Sequence, residues 1–287
     1  MNTKGRFVLT LTGIFLALAS GASGAGRNEE TIKAYAPPEF FELVQDLGNR
    51  FMKENSDVSV KVFRSSSELG FQALMTRKGD LVMTTRKPNV VETGHAERKR
   101  LDLKRVRVGW ENVAVITNPD VRVSELTVEQ LRKVYTGEYK NWLDLGGADL
   151  PISLHSLRYP EDETAVWFAD RVLGKAVFYS SMIWVNRLDF LVRHVSVHSG
   201  SVAYLGNLQL IGILERHPRF RVQVISISAS AGSRAVRPAA ELSKKGDYPL
   251  TIPLFLFWAE NNPDKRVEQF ARFCTDRIQD VAQQTRR

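Results

Sequence analysis

The feature that most restricts the fold of this chain is a regular alternation of short apolar strands with amphipathic helical segments. Residues 58–62 alternate apolar and polar side chains with period two, which is typical of a half-buried strand. A helical face through Phe71, Leu74 and Met75 follows, and residues 81–83 form the next short apolar run. Strand–loop–helix units of this kind predict an α/β protein, whose loops gather at the carboxyl ends of parallel strands, where open sheets bind ligands.

The same pattern starts again in the second half of the chain. An extended segment over residues 106–117 ends at the turn signal Asn118-Pro119, and Thr127 then offers a helix N-cap. Further strands are predicted at residues 151–155, 202–205, 222–227 and 254–258, and further helices at residues 162–173 and 267–273. Two α/β lobes joined by extended crossovers are the simplest architecture for this order of elements.

The first 25 residues have the form of a secretory signal peptide. Lys4 and Arg6 precede an apolar run over residues 7–19, and Ser23-Gly24-Ala25 supplies small residues for cleavage. The alternative is a retained anchor helix, for which the apolar run is short. No cysteine follows the run, so we expect an exported, periplasmic protein that is soluble, not lipid-anchored and not inserted in the membrane after cleavage. The single cysteine, Cys274, excludes an intramolecular disulfide framework.

The net charge of +8 is compatible with nucleic acid, an anionic membrane or a small anion as partner. Two of these charges leave with the signal peptide. The densest basic run, residues 98–107, lacks the interleaved aromatic residues of a single-strand binding surface, and the chain is predicted to be exported. We therefore expect a solvated basic face and no nucleic acid partner.

Sequence signals for catalysis, cofactors and metals are weak. The chain has no G-x-S-x-G elbow, no Walker A motif and no G-x-G-x-x-G fingerprint. His194 and His198 are four residues apart, but the β-branched residues between them disfavour a helix that would pair them on a metal. The sequence therefore predicts a protein that is not an enzyme and carries no cofactor and no metal.

Several segments resemble one family, in that family's order. Residues 126–147, which begin LTVEQLRKVYTGEYKNW, are similar to a segment of PstS-like phosphate-binding periplasmic proteins, the substrate-binding proteins of ABC importers. Residues 78–86, 113–119, 199–205 and 248–254 resemble further segments of the same family. The resemblance implies a type II periplasmic binding protein fold, with a ligand cleft between two α/β lobes. The expected division is 1–25 for the signal peptide, 26–115 and 246–287 for lobe 1, and 116–245 for lobe 2.

The resemblance also implies a ligand site made of hydrogen-bond donors. In lobe 1 it assigns the ligand role to two polar loops that follow strands: Ser65, Ser66 and Ser67, and Thr84, Thr85 and Arg86. Hydroxyls, backbone N–H groups at helix starts and one guanidinium are the groups that replace the hydration of an oxyanion. For these residues the alternatives are an ordinary turn with a serine N-cap and a solvated arginine. The family's first loop is here Ala36-Pro37-Pro38-Glu39, which offers fewer donors because proline has no N–H.

In lobe 2 the family's R-x-x-x-S-G-T segment corresponds to residues 158–164. Arg158 and Thr164 keep residue type and spacing, so the resemblance assigns them the ligand role. Asp162 and Glu163, which replace serine and glycine, stand at ligand positions of the same segment. Both carboxylates would repel a bare oxyanion. The alternative is that Asp162 caps the helix and Glu163 lies in its first turn, so that the protein itself satisfies the helix start.

The expected function is that of a periplasmic solute-binding protein of an ABC-type importer, which binds phosphate or a related small oxyanion and works with an ABC permease as a monomer. The alternative is a PstS-like sensory or interaction protein that has lost phosphate binding or binds a different ligand through Asp162 and Glu163.

Overall fold

The computed structural model describes residues 31–239 and 248–284, and the side chains up to residue 278. The predicted signal peptide lies outside the described residues. The strands are, in chain order, β1 (Thr31–Ala36), β2 (Ser59–Arg64), β3 (Leu81–Thr84), β4 (Leu103–Thr117), β5 (Glu125–Thr127), β6 (Ser153–Leu157), β7 (Ile183–Val185), β8 (Ser201–Gly206), β9 (Gln223–Val224), β10 (Ser226–Ser228) and β11 (Thr251–Ala259). The α-helices are α1 (Phe41–Glu54), α2 (Ser67–Met75), α3 (Val90–Arg98), α4 (Val128–Tyr135), α5 (Glu163–Phe168), α6 (Leu188–Val197), α7 (Asn207–Arg216) and α8 (Arg266–Gln284).

The predicted α/β fold is confirmed by a mixed sheet with the order β2-β1-β3-β11-β4-β8-β6-β7, to which β9 adds beside β4. In the first half, β1 pairs in parallel with β2 and β3, and β11 runs antiparallel between β3 and β4. In the second half, β8 is antiparallel to β4 and parallel to β6. A separate two-stranded sheet joins β5 and β10 in parallel.

The long strand β4 connects the two halves of the sheet. Residues 103–112 pair with β11, whereas residues 113–117 pair with β8. Apolar side chains from residues 32–108 and 254–278 form one core around Phe51 and Phe270, whose ring centroids are 5.1 Å apart. A second core, from residues 113–252, surrounds Trp142, Tyr135 and Phe168. The domain boundaries at residues 115 and 245 remain a proposal.

Local sequence signals explain most of the helix ends. Thr127 caps α4 in a capping box with Gln130, as its position before an apolar helical face predicts. Gly137 follows α4 with a positive φ of 77°, which glycine adopts without strain. No helix in residues 31–239 and 248–284 is long and apolar enough to cross a membrane.

Two local predictions were wrong. Residues 222–227 do not form one strand, because the chain passes from one sheet to the other there: β9 pairs with β4, and β10 pairs with β5. The segment around His194 is helical despite its β-branched residues, because Leu191, Val192 and Val195 bury one face of α6. The helix predicted at residues 162–173 consists of α5 and a following π-helical turn, Ala169–Leu173.

Trp142 is fully buried in the second core, and its ring N–H donates a hydrogen bond of 2.8 Å to the backbone oxygen of Gly200. Replacing Trp142 with Phe removes this bond and part of the packed volume, so we expect the free energy of unfolding to fall by about 2 kcal/mol. Urea unfolding measures the change. The neighbouring Leu143, which is 59% exposed, is the control, and Leu143→Ala should cost less than about 0.5 kcal/mol. Equal losses in the two variants would contradict this description of the core.

Candidate functional site

Two helix starts face each other across the cleft between the halves of the sheet. α2 begins at Ser67, directly after the loop that follows β2, and α5 begins at Glu163, after the loop that follows β6. Both loops therefore lie at the carboxyl ends of parallel strands, which is the edge of an open sheet that binds ligands. The structure brings together the two segments in which the sequence predicts a ligand site.

The side chain of Glu163 crosses this cleft and contacts two donors of lobe 1. Its Oε1 accepts a hydrogen bond of 3.0 Å from the backbone N–H of Ser67, and its Oε2 accepts one of 2.6 Å from the hydroxyl of Thr85. Hydrogen bonds to an ionised acceptor are short and strong. Each carboxylate oxygen of Glu163 thus has its own donor on the opposite lobe.

The N-terminus of α2 favours negative charge at this position. Its first N–H groups have no partner within the helix, and the helix dipole places a partial positive charge there. Ser66 is the N-cap and accepts a bond of 3.3 Å from the N–H of Leu69, as the alternative for this loop predicted. The N–H of Ser67 is left to point across the cleft, where it meets Glu163. A carboxylate of the protein therefore interacts with the start of α2.

Three further hydroxyls of the two lobe 1 loops, those of Ser65, Ser67 and Thr84, are buried. The hydroxyls of Ser67 and Thr84 are 2.6 Å apart, and Thr84 also accepts a bond of 3.2 Å from the N–H of Arg86. The hydroxyl of Ser65 is buried and has no hydrogen-bond partner among the described residues. These three hydroxyls hold the loops together or lie below them.

Arg86 is neutralised by an acidic side chain of its own lobe. Its guanidinium forms two parallel hydrogen bonds of 2.7 and 2.8 Å with the carboxylate of Glu92, and it lies 5.2 Å from the ring centre of Phe71. The pair with Glu92 raises the pKa of Arg86 above its ordinary value. Glu92 is also fixed by the capping box of α3 with Asn89. An incoming anion would have to compete with Glu92 for this arginine.

The predicted ligand residues of lobe 2 do not all line the cleft. Asp162 is the N-cap of α5 and accepts a bond of 2.8 Å from the N–H of Ala165, so the capping alternative describes this side chain. Burial, followed by the nearby charge of Glu163, raises the pKa of Asp162 to about 6. Thr164 is buried beside the cleft, whereas the side chain of Arg158 is exposed and does not line the cleft. Whether any of these predicted residues binds a solute remains a prediction.

Two further acidic residues, Glu39 and Glu111, lie near the cleft, and neither was selected from the sequence. Burial in the cleft raises the pKa of Glu39 from 4.5 to about 8, and the charges of Glu163, Asp162 and Glu111 add to the rise. Burial also raises the pKa of Glu111 to about 7, although the N–H groups at the start of α7 oppose this shift. Glu111 is the one acidic residue of β4, whose other charged residues are all basic, and this is the sequence signal that points to it.

The cleft has a volume of about 980 Å³ and an acidic lining. Its side chains include six carboxyl groups and three arginines. Arg64 lies 3.4 Å from Glu42, and Arg187 lies 2.6 Å from Asp189, so two of the arginines already have acidic partners. The positive charge of the whole chain is therefore not concentrated in its cleft.

The histidines do not form a metal centre. The ring of His194 lies 5.7 Å from that of His155 and 5.4 Å from that of His198. Although these rings are close together, no group of three or more His, Cys, Asp or Glu residues in the described part of the chain is arranged to hold a metal ion.

Comparisons with known proteins agree with this architecture. The model of a family described as the PBP superfamily domain matches residues 21–277. The phosphate-binding protein PstS of Staphylococcus saprophyticus is 21% identical over 284 residues, which cover 92% of this chain and 84% of that protein. PstS of Borreliella burgdorferi is 20% identical over 265 residues, covering 90% and 89%. The crystal structure of an ABC-type phosphate transport receptor from Vibrio cholerae superposes with a TM-score of 0.65 at 20% identity, covering 86% of this chain and 96% of that one, and this likeness shows the fold.

The raised pKa of Glu39 predicts a fall in stability with increasing pH. A carboxyl group whose pKa is raised from 4.5 to about 8 binds more protons in the folded state, so its contribution is present below pH 4.5 and is lost as the pH rises through 8. Urea unfolding from about pH 5 to pH 8.5 should show a loss on the order of a few kcal/mol, and Glu39→Gln should make the curve less steep, while Glu111 and Asp162 keep part of the slope. Glu42→Gln, at an exposed carboxylate on α1, is the control. An unchanged slope in Glu39→Gln would contradict the assignment.

Proposed function

The chain belongs to the PBP superfamily domain family, and from this premise we propose that it is an exported solute-binding protein of an ABC-type importer, which binds phosphate or a related small oxyanion in its cleft. The two PstS relatives are named phosphate-binding proteins, and the similar structure from Vibrio cholerae is named a phosphate transport receptor. The proposal includes delivery of the solute to an ABC permease by a monomer, without catalysis. The comparisons give no support to a sensory or interaction role.

One observation supports the oxyanion most directly: donors from lobe 1 already converge on an oxyanion group. The N–H of Ser67 and the hydroxyl of Thr85 hold the two oxygens of the Glu163 carboxylate at 3.0 and 2.6 Å. Two adjacent oxygens of phosphate have a comparable spacing and the same acceptor chemistry. A solute that binds here replaces Glu163 on both donors.

Displacement of Glu163 is required by electrostatics. A carboxylate that remained about 4 Å from a bound anion would oppose it by roughly 4 kcal/mol at an effective dielectric constant near 20. The two bonds that hold Glu163 are worth about 1.5–3 kcal/mol each, and the solute must form equivalent bonds to compensate for their loss. We therefore expect weak phosphate binding by the wild-type protein.

Lobe movement follows from the position of the crossovers. We place one hinge in residues 115–118, at the end of β4, and the other within residues 224–248, of which 240–247 lie outside the described part of the chain. Glu163 links the lobes in the absence of solute, and the solute takes over this link when it binds. The importer would distinguish loaded from empty protein because the two forms differ in lobe arrangement, with closure biased by the differential affinity of the solute.

Removing the Glu163 side chain should improve phosphate binding. In a calorimetric titration, Glu163→Gly should bind phosphate at least about tenfold tighter than the wild-type protein, because phosphate no longer competes with an internal carboxylate. The double variant Asp162→Ser with Glu163→Gly should bind at least as tightly, since serine keeps an N-cap and removes the second carboxylate.

Glu97 provides the control, because it is exposed near the end of α3, does not line the cleft, and its change to Gln removes the same charge. Glu97→Gln should leave the phosphate affinity within about twofold of that of the wild-type protein. If neither the wild-type protein nor Glu163→Gly gives heat or a thermal shift at millimolar phosphate, the proposed function is wrong in its phosphate form.

A further inference from the structure

Glu111 is a buried acidic residue, and one of its carboxylate oxygens has no hydrogen-bond partner among the described residues. It lies in the middle of β4, opposite Ile252 of β11, and its side chain is only 4% exposed. Its Oε1 accepts a hydrogen bond of 3.0 Å from the N–H of Leu208 in the first turn of α7. Its Oε2 is buried and has no hydrogen-bond partner among the described residues. Buried carboxylate oxygens are rarely left unpaired, because they lose their hydration without compensation.

A small cavity adjoins Glu111 at the floor of the cleft. Its volume of about 10 Å³ is that of a single water-sized group. Its polar lining consists of Glu39, Glu111, Thr85, Thr164 and Gln209. Two of these side chains are carboxyl groups, and none of the lining residues is Lys, Arg or His. The cavity therefore offers oxygen acceptors to a positively charged group.

The polar residues that line the cavity favour one class of ion. Carboxylate, hydroxyl and amide oxygens suit hard cations and ammonium groups, but two carboxylates are too few to replace the six or more oxygens that a divalent ion takes. The described residues contain no group of three acidic or metal-binding side chains for such a metal ion. A monocation of the size of water fits the volume, and the two carboxylates are sufficient to neutralise it.

We propose that this cavity is a cation subsite, which takes one water-sized monocation, either a free ion or the ammonium group of the solute itself. Glu111 Oε2 and the Glu39 carboxylate contact the cation, and Thr85 and Thr164 complete its surroundings. The free-ion form stands independently, whereas the form with a solute-borne ammonium rests on the proposed oxyanion function.

The subsite adjoins the oxyanion position through Thr85. The Thr85 side chain lines the cavity, and its hydroxyl donates to Glu163 Oε2. A solute with an oxyanion on Ser67 and Thr85 would therefore have its ammonium group within reach of Glu39 and Glu111. The raised pKa values of these two acids, about 8 and about 7, fit carboxyl groups that lack a counter-charge in the solute-free protein. The cation supplies that counter-charge.

Thermal unfolding tests the free-ion form. Near pH 8.5, at about the upper end of the Glu39 titration, sodium or ammonium chloride should raise the midpoint by about 3 °C relative to tetramethylammonium chloride at equal ionic strength. Tetramethylammonium has the same charge but exceeds the cavity. The rise should disappear in Glu111→Gln, whose amide oxygen can still accept the Leu208 N–H, and should persist in Glu97→Gln, an exposed position outside the cleft and the cavity. Glu39→Gln should also lose it, which provides a second variant if Glu111→Gln does not fold.

Calorimetry tests the solute-borne form with two matched phosphate esters. Aminoethyl phosphate should bind the wild-type protein about tenfold tighter than ethyl phosphate, which lacks only the ammonium group, and this preference should vanish in Glu111→Gln.

The outcomes separate the two proposals. The rise in the unfolding midpoint or the preference for aminoethyl phosphate, if it is lost in Glu111→Gln and kept in Glu97→Gln, supports the subsite and identifies the source of its cation. If neither the rise in the unfolding midpoint nor the preference for aminoethyl phosphate is found, the cavity holds water only and the inference is overturned. The same conclusion follows if an observed effect is retained in both Glu111→Gln and Glu39→Gln. Cation stabilisation without binding of any phosphate compound would contradict the proposed function and leave the subsite intact. Equal binding of the two esters, with no cation stabilisation, would contradict the subsite alone.

Discussion

The contact of the Glu163 carboxylate with Ser67 and Thr85 determines how the two lobes of this protein meet. It is a hydrogen-bonded contact between a charged side chain of lobe 2 and the start of a helix in lobe 1. Ser66 already caps α2, and the Thr84 hydroxyl is hydrogen-bonded to the Ser67 hydroxyl. The N–H of Ser67 and the hydroxyl of Thr85 therefore remain as donors for Glu163. In a site whose chemistry suits an oxyanion, the protein supplies one from its own chain.

Other helix starts near the cleft also interact with carboxyl groups of the protein. Glu111 accepts from the first turn of α7, Asp162 caps α5, and Glu92 caps α3 while it neutralises Arg86. Helix starts that could receive an external anion are thus occupied by carboxyl groups of the protein. This gives an acidic cleft in a chain with a net charge of +8. The solute must then displace a carboxylate, bring a positive group, or do both.

The sequence was a good guide to the fold because strands and helices leave local periodic signals. The period of two in β2 and the capping residues of α4 depend only on near neighbours, and both elements form where predicted. The split of residues 222–227 into β9 and β10 depends on which strands lie alongside, so no local pattern could reveal it. The helix around His194 forms because tertiary burial outweighs the low helix propensity of its β-branched residues.

The candidate site was harder to predict. In the sequence, Asp162 and Glu163 stand out as departures from the family pattern, and the position of Asp162 before a helix predicts its capping role as an alternative. The sequence does not reveal that Glu163 crosses the cleft, because its two contacts join residues 96 and 78 positions apart in the chain. Glu39 and Glu111 were missed for a related reason, since their importance comes from burial beside other acids.

A crystal structure of the Glu163→Gly variant grown in phosphate tests the central claim most directly, because it shows what the Ser67 and Thr85 donors bind when the internal carboxylate is absent. We predict a phosphate ion in the cleft with one oxygen within about 3 Å of the Ser67 nitrogen and another within the same distance of the Thr85 hydroxyl. A cleft in which both donors bind only water at saturating phosphate, or in which phosphate binds elsewhere, would contradict the account.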